Sequence, residues 1–175
     1  PPGVSGHDAA YRSSIRYEPE TANALLDTFG YRIGKDGWRR LPDGNPLVIV
    51  FSVRADSTGQ QQLEMWKKTF DKLHIRMKGD KRLFPDLLKA EKQCRLMMRT
   101  SNWIADYPDG SNFMQLFYGP HIGQSNNGCV KIPLYDRLYE QSSGLPEGSR
   151  RDLLYHKMTR VLEVYSPARI GYARY

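Results

Sequence analysis

Trp103 and Asp106 are the residues whose types and spacing point most directly to chemistry. They lie in Trp103-Ile104-Ala105-Asp106-Tyr107-Pro108-Asp109-Gly110-Ser111-Asn112-Phe113, directly after an apolar run, Leu96-Met97-Met98, that reads as a buried strand. In open α/β sheets, ligands collect at the carboxyl ends of strands. An aromatic body with a polar edge, beside a carboxylate at such an end, suits a small-molecule or peptide pocket. A fixed carboxylate in a partly desolvated place is also what capture of a peptide's N-terminal ammonium requires. Local structure offers another reading of each residue. Asp106 in Asp-Tyr-Pro-Asp-Gly has the setting of an Asx-turn or a helix N-cap, and Trp103 is of a type that fills cores. Residue chemistry alone leaves both readings standing.

Other chemistry has little in the sequence to carry it. There is no GxSxG elbow, Walker loop, GxGxxG or HExxH. Asp106 and Asp109 form a carboxylate pair in spacing only, because three residues across a Pro turn is a common loop pattern. His7, His74, His121 and His156 show no metal-ligand spacing. Neither a cofactor nor a metal is expected, and the chain is not expected to be an enzyme. Cys94 and Cys129 lie far apart and outside any CxxC. An oxidising compartment would permit a disulfide, but two free, mostly buried thiols are expected. The net charge is +7 and the pI about 9.4. A basic balance can serve nucleic acid, an anionic membrane surface or solubility. The cations are scattered (Arg39-Arg40, Lys67-Lys68, Lys78 to Arg82, Arg150-Arg151), without the run of like charges that marks an interaction tail. They read as solvated surface. Trp66 and Phe70 sit on the apolar face of a helix, not on a base-stacking platform. A basic nucleic-acid-binding α/β domain is therefore the alternative, not the main reading.

The elements that must position Trp103 and Asp106 follow from periodicity. The 175 residues suffice for one domain with a core. No apolar run is long enough to span a membrane. The chain opens at Pro1-Pro2-Gly3 with neither Met nor a leader pattern, and a processed or truncated product is expected. A first helix is predicted over 19–29, with Ala22, Leu25, Leu26 and Phe29 on one apolar face and Pro19 at its first position. A turn-rich stretch, read as a loop or small hairpin, covers 32–46. Leu47 to Val53 is a continuous β-branched run, as in strands covered on both faces. A helix over 58–73, with Ser57 and Gln60 at capping-box spacing, leads to a strand over 74–78. A helix over 85–92 and a strand over 95–100 complete a βαβαβ run. A short helix over 112–118, a long loop over 119–132, and helices over 133–142 and 149–165 close the fold. The helix over 133–142 should bury Leu134, Tyr135, Leu138 and Tyr139. The last should bury Leu154, Met158, Val161, Leu162 and Tyr165, with Ser149 and Asp152 as its capping box and Pro167 as its stop.

Three motifs stand in order along this frame. They are Tyr17-Glu18-Pro19-Glu20-Thr21-Ala22-Asn23-Ala24-Leu25-Leu26-Asp27-Thr28-Phe29-Gly30-Tyr31; Leu47 to Val53 with Trp66-Lys67-Lys68 and Leu73-His74-Ile75; and Trp103-Ile104-Ala105-Asp106-Tyr107-Pro108-Asp109. Together they resemble the C-terminal lobe of the peptide/oligopeptide (dipeptide-type) solute-binding proteins of bacterial ABC importers, family 5. The chain departs from that pattern at Glu18, where Asp is usual, at His74, where Gly precedes the Ile, and at Gly110, where Pro is frequent. The resemblance implies an α/β fold: a single lobe of the type II, cluster C-like periplasmic-binding-protein class, with a mostly parallel sheet flanked by helices. It implies an irregular hinge segment over 1–16, the ligand-binding lobe over 17–167, and an exit strand over 168–175 towards a second lobe. It also implies capture of a peptide or similar small solute by lobe closure and delivery to a membrane permease, by a periplasmic monomer that binds no nucleic acid. Asp106 would pair with a peptide's α-amine, with Trp103 as a nearby wall and Tyr107 as a further ligand contact.

Overall fold

The apolar run after Leu47 becomes strand β1 (Val48–Arg54), whose Phe51, Ser52 and Val53 are all buried. The computed structural model describes residues 2–169. β1 is the centre of a three-stranded parallel sheet of order β2-β1-β3, with β2 at Arg76–Arg82 and β3 at Met98–Arg99. Val48 pairs with Arg76 and Arg54 with Arg82 on one side; Phe51 pairs with Met98 and Ser52 with Arg99 on the other. The residues gather into two compact units, one from 16–90 and 95–101, the other from 2–15, 91–94 and 102–169.

The first of these units holds the sheet with α1 (Pro19–Thr28), α2 (Ser57–Asp71) and most of α3 (Phe84–Lys92). Leu63 of α2 packs on Phe51 and Val53, with Trp66, Met77 and Met98 around them. Close approach of α2 to β1 requires Gly59, because a Cβ there would run into the Arg54 carbonyl. The helix is capped by Asp56, not by the expected Ser57–Gln60 box. The Asp56 carboxylate, one residue earlier, reaches the Gly59 amide at 2.8 Å.

Four expectations in this unit are corrected. The strand predicted over 74–78 begins at Arg76, because His74 takes the left-handed conformation that glycine favours (φ 56°). The turn from α2 is thus closed with a histidine in the glycine conformation, Ile75 N–H bonding back to the Phe70 carbonyl. The strand predicted over 95–100 shrinks to β3. Val50 N–H donates to the Met97 sulfur at 3.2 Å, which takes the place of a ladder carbonyl, and Met97 is 63% exposed rather than buried. Helix α1 buries none of its residues, and Leu25 and Phe29 are exposed. It is tied down by Arg39, a residue expected on the solvated surface but only 1% exposed. Arg39 donates to the Leu73 carbonyl, Asp27 Oδ1, the Tyr31 carbonyl, and both the carbonyl and Oδ1 of Asn23. Five guanidinium N–H bonds therefore meet five acceptors. Arg39 stands on the small hairpin expected in this stretch, whose bridges join Ile33 to Arg39 and Arg40 to Pro46.

The other unit is helical. α4 (Ser111–Met114) runs into two 3₁₀ turns at Gln115–Phe117 and Gly119–His121. α5 (Pro133–Ser143) and α6 (Ser149–Tyr165) then pack through Tyr135, Tyr155 and Met158 against Val130 and Ile132. Tyr155 carries the buried face of α6, whereas Tyr165 and Leu134 are exposed. The Ser149–Asp152 capping box does not form; Gly148 precedes the helix without a side-chain cap. Cys94 and Cys129, expected as free thiols, form a disulfide with their Cα atoms 5.8 Å apart. It holds the 119–132 loop, which is further organised by buried Asn126 bonding the Tyr118 and Val130 carbonyls and the Val130 amide. Ala168 and Arg169 form no strand, and the rest of the expected exit strand lies outside the described residues. Among the described residues no helix is long and apolar enough to cross a membrane.

Candidate functional site

Residues 103–110 form one loop leading into α4, anchored at its C-terminal side by Asp109. The Asp109 carboxylate accepts from the Ser111 amide at 2.8 Å, from Tyr155 Oη at 3.3 Å and from Arg151 at 2.5 Å. Burial works against its charge, but the Ser111 amide and hydroxyl, Arg151 and Tyr155 outweigh that. They hold the carboxyl below its ordinary value. Burial first, and then the Asp109 charge, push the Tyr155 phenol up to about 12. The N-terminal segment adds backbone bonds, Ser5 N–H to the Pro108 carbonyl and Gly110 N–H to the Ser5 carbonyl, at 3.0 and 2.9 Å. These contacts explain Gly110. Its φ of −58° would suit proline. Proline, however, has no N–H for Ser5, and any Cβ there would lie 2.8 Å from the Tyr155 ring.

On this anchored loop the two aspartates have opposite surroundings. Asp109 makes the Asx-type bond of the turn; Asp106 makes none. Asp106 is exposed, with no hydrogen bond or ion pair to another described residue. The turn and cap readings of Asp106 are thereby not realised, and its carboxylate faces solvent. Trp103 is not core either. It is 36% exposed, and its Nε1–H donates to Asn112 Oδ1 at 2.6 Å. Tyr107 is half exposed, with its hydroxyl 3.2 Å from Ser111 Oγ. Ile104 beside them is almost fully exposed.

All three predicted residues thus occur on one loop of one unit, with a carboxylate that is unpaired among the described residues between two partly exposed aromatics. Sequence reasoning missed Asp109, Asn112, Arg151 and Tyr155, which hold the loop. Asp109-Gly110 was visible as turn chemistry, but Arg151 and Tyr155 are more than forty positions away and carry no local signal. A shallow concavity of about 480 Å³ lies elsewhere on this unit, lined by Gly119, Pro120, Ile122, Lys131, Pro133 and Asp136. None of the three predicted residues lines it. No cluster of His, Cys, Asp and Glu among the described residues is arranged to hold a metal ion.

The sequence model of the bacterial extracellular solute-binding proteins, family 5 (middle region), matches residues 1–125. The chain belongs to this family. No curated protein matches it. Among solved structures it resembles the oligopeptide-binding protein AppA from Bacillus subtilis in complex with a nonapeptide. The identity is 14% and the TM-score 0.83, over 95% of this chain and 34% of that one. It also resembles the periplasmic binding protein DppA from Helicobacter pylori in complex with the peptide STSA, at 19% identity and TM-score 0.76, over 95% and 31%. NikA from Brucella suis, in complex with Fe(III)-EDTA, matches at 20% identity and TM-score 0.76, over 93% and 33%. The chain spans about a third of the length of these solved structures. The architecture is that of one portion of a periplasmic-binding-protein fold, α/β with a parallel sheet, and the relatives are binding proteins.

Proposed function

We infer that this chain is the ligand-binding lobe of a periplasmic component of an ABC importer. It captures a peptide, or a similar small solute, between two lobes and hands it to the membrane permease. No bond is made or broken; the mechanism is closure of two lobes around the ligand. The protein works as a monomer and uses no nucleic acid. The observation that carries the reading is Asp106, an exposed carboxylate without a partner among the described residues, between Trp103 and Tyr107 on a loop anchored by Asp109. A peptide's α-ammonium supplies the missing positive charge, while the indole and phenol supply contact area. The fold by itself admits other ligand classes; the free carboxylate favours a cationic end group. The Cys94–Cys129 disulfide suits an oxidising compartment and so supports the periplasm.

Native mass spectrometry of the whole protein, wild type beside Asp106→Asn, tests this. Peptide masses should travel with wild type and be lost from the variant. Free-amine peptides should bind the variant more weakly by about 1.5–3 kcal/mol, the scale of a hydrogen bond to a charged group. N-acetylated peptides should bind poorly to both forms. Unchanged affinity for free-amine peptides would remove the amine-pairing role from Asp106.

A further inference from the structure

We propose that Asn112 is a positioning residue for this loop: its amide oxygen fixes the Trp103 indole in the orientation in which the ring meets the ligand. The proposal rests on the reading of Trp103 and Asp106 as ligand contacts. Asn112 is 0% exposed, and the Trp103 indole donates to its Oδ1 at 2.6 Å. An indole N–H can only donate. The amide must therefore turn its oxygen towards Trp103 and its NH₂ group away.

That orientation leaves Nδ2 buried without a hydrogen-bond partner among the described residues, although buried polar groups are normally paired. A side chain serving packing alone would be better apolar, since leucine has nearly the same shape and no stranded donor. What the amide provides instead is a bond to a ring that is itself partly exposed. The support continues behind it. Asn112 N–H bonds the Asp109 carbonyl at 3.1 Å, and Asp109 is held by Arg151 and Tyr155. The indole is thus connected through Asn112 and Asp109 to helix α6. A pre-oriented ring loses less rotational freedom when ligand arrives, and so binds more tightly than a free one.

The test uses the whole protein labelled with fluorotryptophan, with free-amine tetra-alanine as the probe. Trp103→Phe assigns the Trp103 fluorine resonance. Asn112→Leu is expected to shift that resonance and to weaken tetra-alanine binding about 10-fold or more, the scale of one lost hydrogen bond in a desolvated place. In the Trp103→Phe background the same substitution should change affinity less than about twofold, because the coupling partner is gone. Asn112→Asp keeps an oxygen facing the indole and should retain both the resonance and the affinity; it guards against a misfolded leucine variant. An unmoved resonance in Asn112→Leu, an equal loss in the Trp103→Phe background, or an Asp variant as impaired as the Leu variant overturns the positioning role. Wild-type protein that binds no tetra-alanine overturns the peptide reading, and the role of Asn112 in binding with it. That failure is read from the ligand, whereas failure of Asn112 alone is read with ligand bound, so the two are told apart.

Discussion

Arg39 shows how much one side chain can organise. Its five donors reach acceptors on α1, on the turn after α1 and at the end of α2, with almost none of the guanidinium exposed to water. The bond from Arg39 also holds the Asp27 carboxyl below its ordinary value. Arg39→Met should therefore destabilise the fold by about 3 kcal/mol or more, since buried carbonyls lose a charged donor. Arg39→Lys should recover only part of that, because an ammonium lacks the planar fork. In urea unfolding, the midpoint should fall while the m-value stays constant. Nothing in Trp38-Arg39-Arg40 marks the middle residue as buried; neighbouring cations read alike until their acceptors are in place. Asp106 stands out in the sequence for the opposite reason. The role proposed for it needs no partner from the rest of the chain, and it stands between aromatics in a short segment. Asn112 and Asp109 stand in that segment too, yet their importance comes from Trp103, Arg151 and Tyr155, whose positions only the fold supplies.

At the scale of elements, strand β1 and helix α6 were legible because their hydrophobic patterns are long and uninterrupted. The elements that shifted did so through single residues: His74 in a left-handed turn, Met97 with its sulfur on the β1 edge, Asp56 as a nearer cap than Ser57. The disulfide was not legible, because spacing does not encode whether two Cα atoms meet. Its consequence is large. It closes a loop of 35 residues, and chain-entropy arguments give such a bridge about 3–4 kcal/mol. Cys94→Ser/Cys129→Ser should lose stability on that scale in urea unfolding, and a reducing agent should lower the wild-type midpoint but leave the variant unchanged. The last turn of α6 offers a pH-dependent contact. Glu163 accepts from the Ser14 amide and from the hydroxyls of Ser13 and Ser14. Those bonds, the Ser14 amide first, with Arg160 adding to them, lower its pKa to about 2 from 4.5. A depressed carboxyl stabilises the fold above its unfolded pKa and ceases to do so as pH falls through the folded one. The Ser14 amide should stay protected from hydrogen exchange above about pH 4.5. It should lose protection towards pH 2, whereas Glu163→Gln should show weak protection at every pH.

For the whole molecule, the net charge of +7 is the feature that most invites a different reading, and the distribution of cations decides what it does. Binding to a phosphate polymer needs cations that are adjacent and unengaged, since each neutralised phosphate releases counterions and steepens the salt dependence. Here many of the cations are engaged. Arg54 pairs with Asp56, Lys67 with Asp71, Arg76 with Asp36, Arg82 with Asp80, Arg151 with Asp109 and Arg160 with Glu163. Others lie over aromatic rings, as Lys72 does over Tyr17. Such pairs contribute little to stability at a surface, yet each takes one cation out of the row of adjacent free charges that a polyanion needs. Binding of a fluorescent single-stranded oligonucleotide should therefore be weak. Its log–log salt slope should stay below about 2 in magnitude, which corresponds to about three phosphates or fewer. Free-amine peptide binding in the same buffers should change far less, because the proposed contact involves one carboxylate and one ammonium rather than a row of charges. A steep oligonucleotide slope, with binding that persists at physiological salt, would instead show that the cations act together and would restore the nucleic-acid reading.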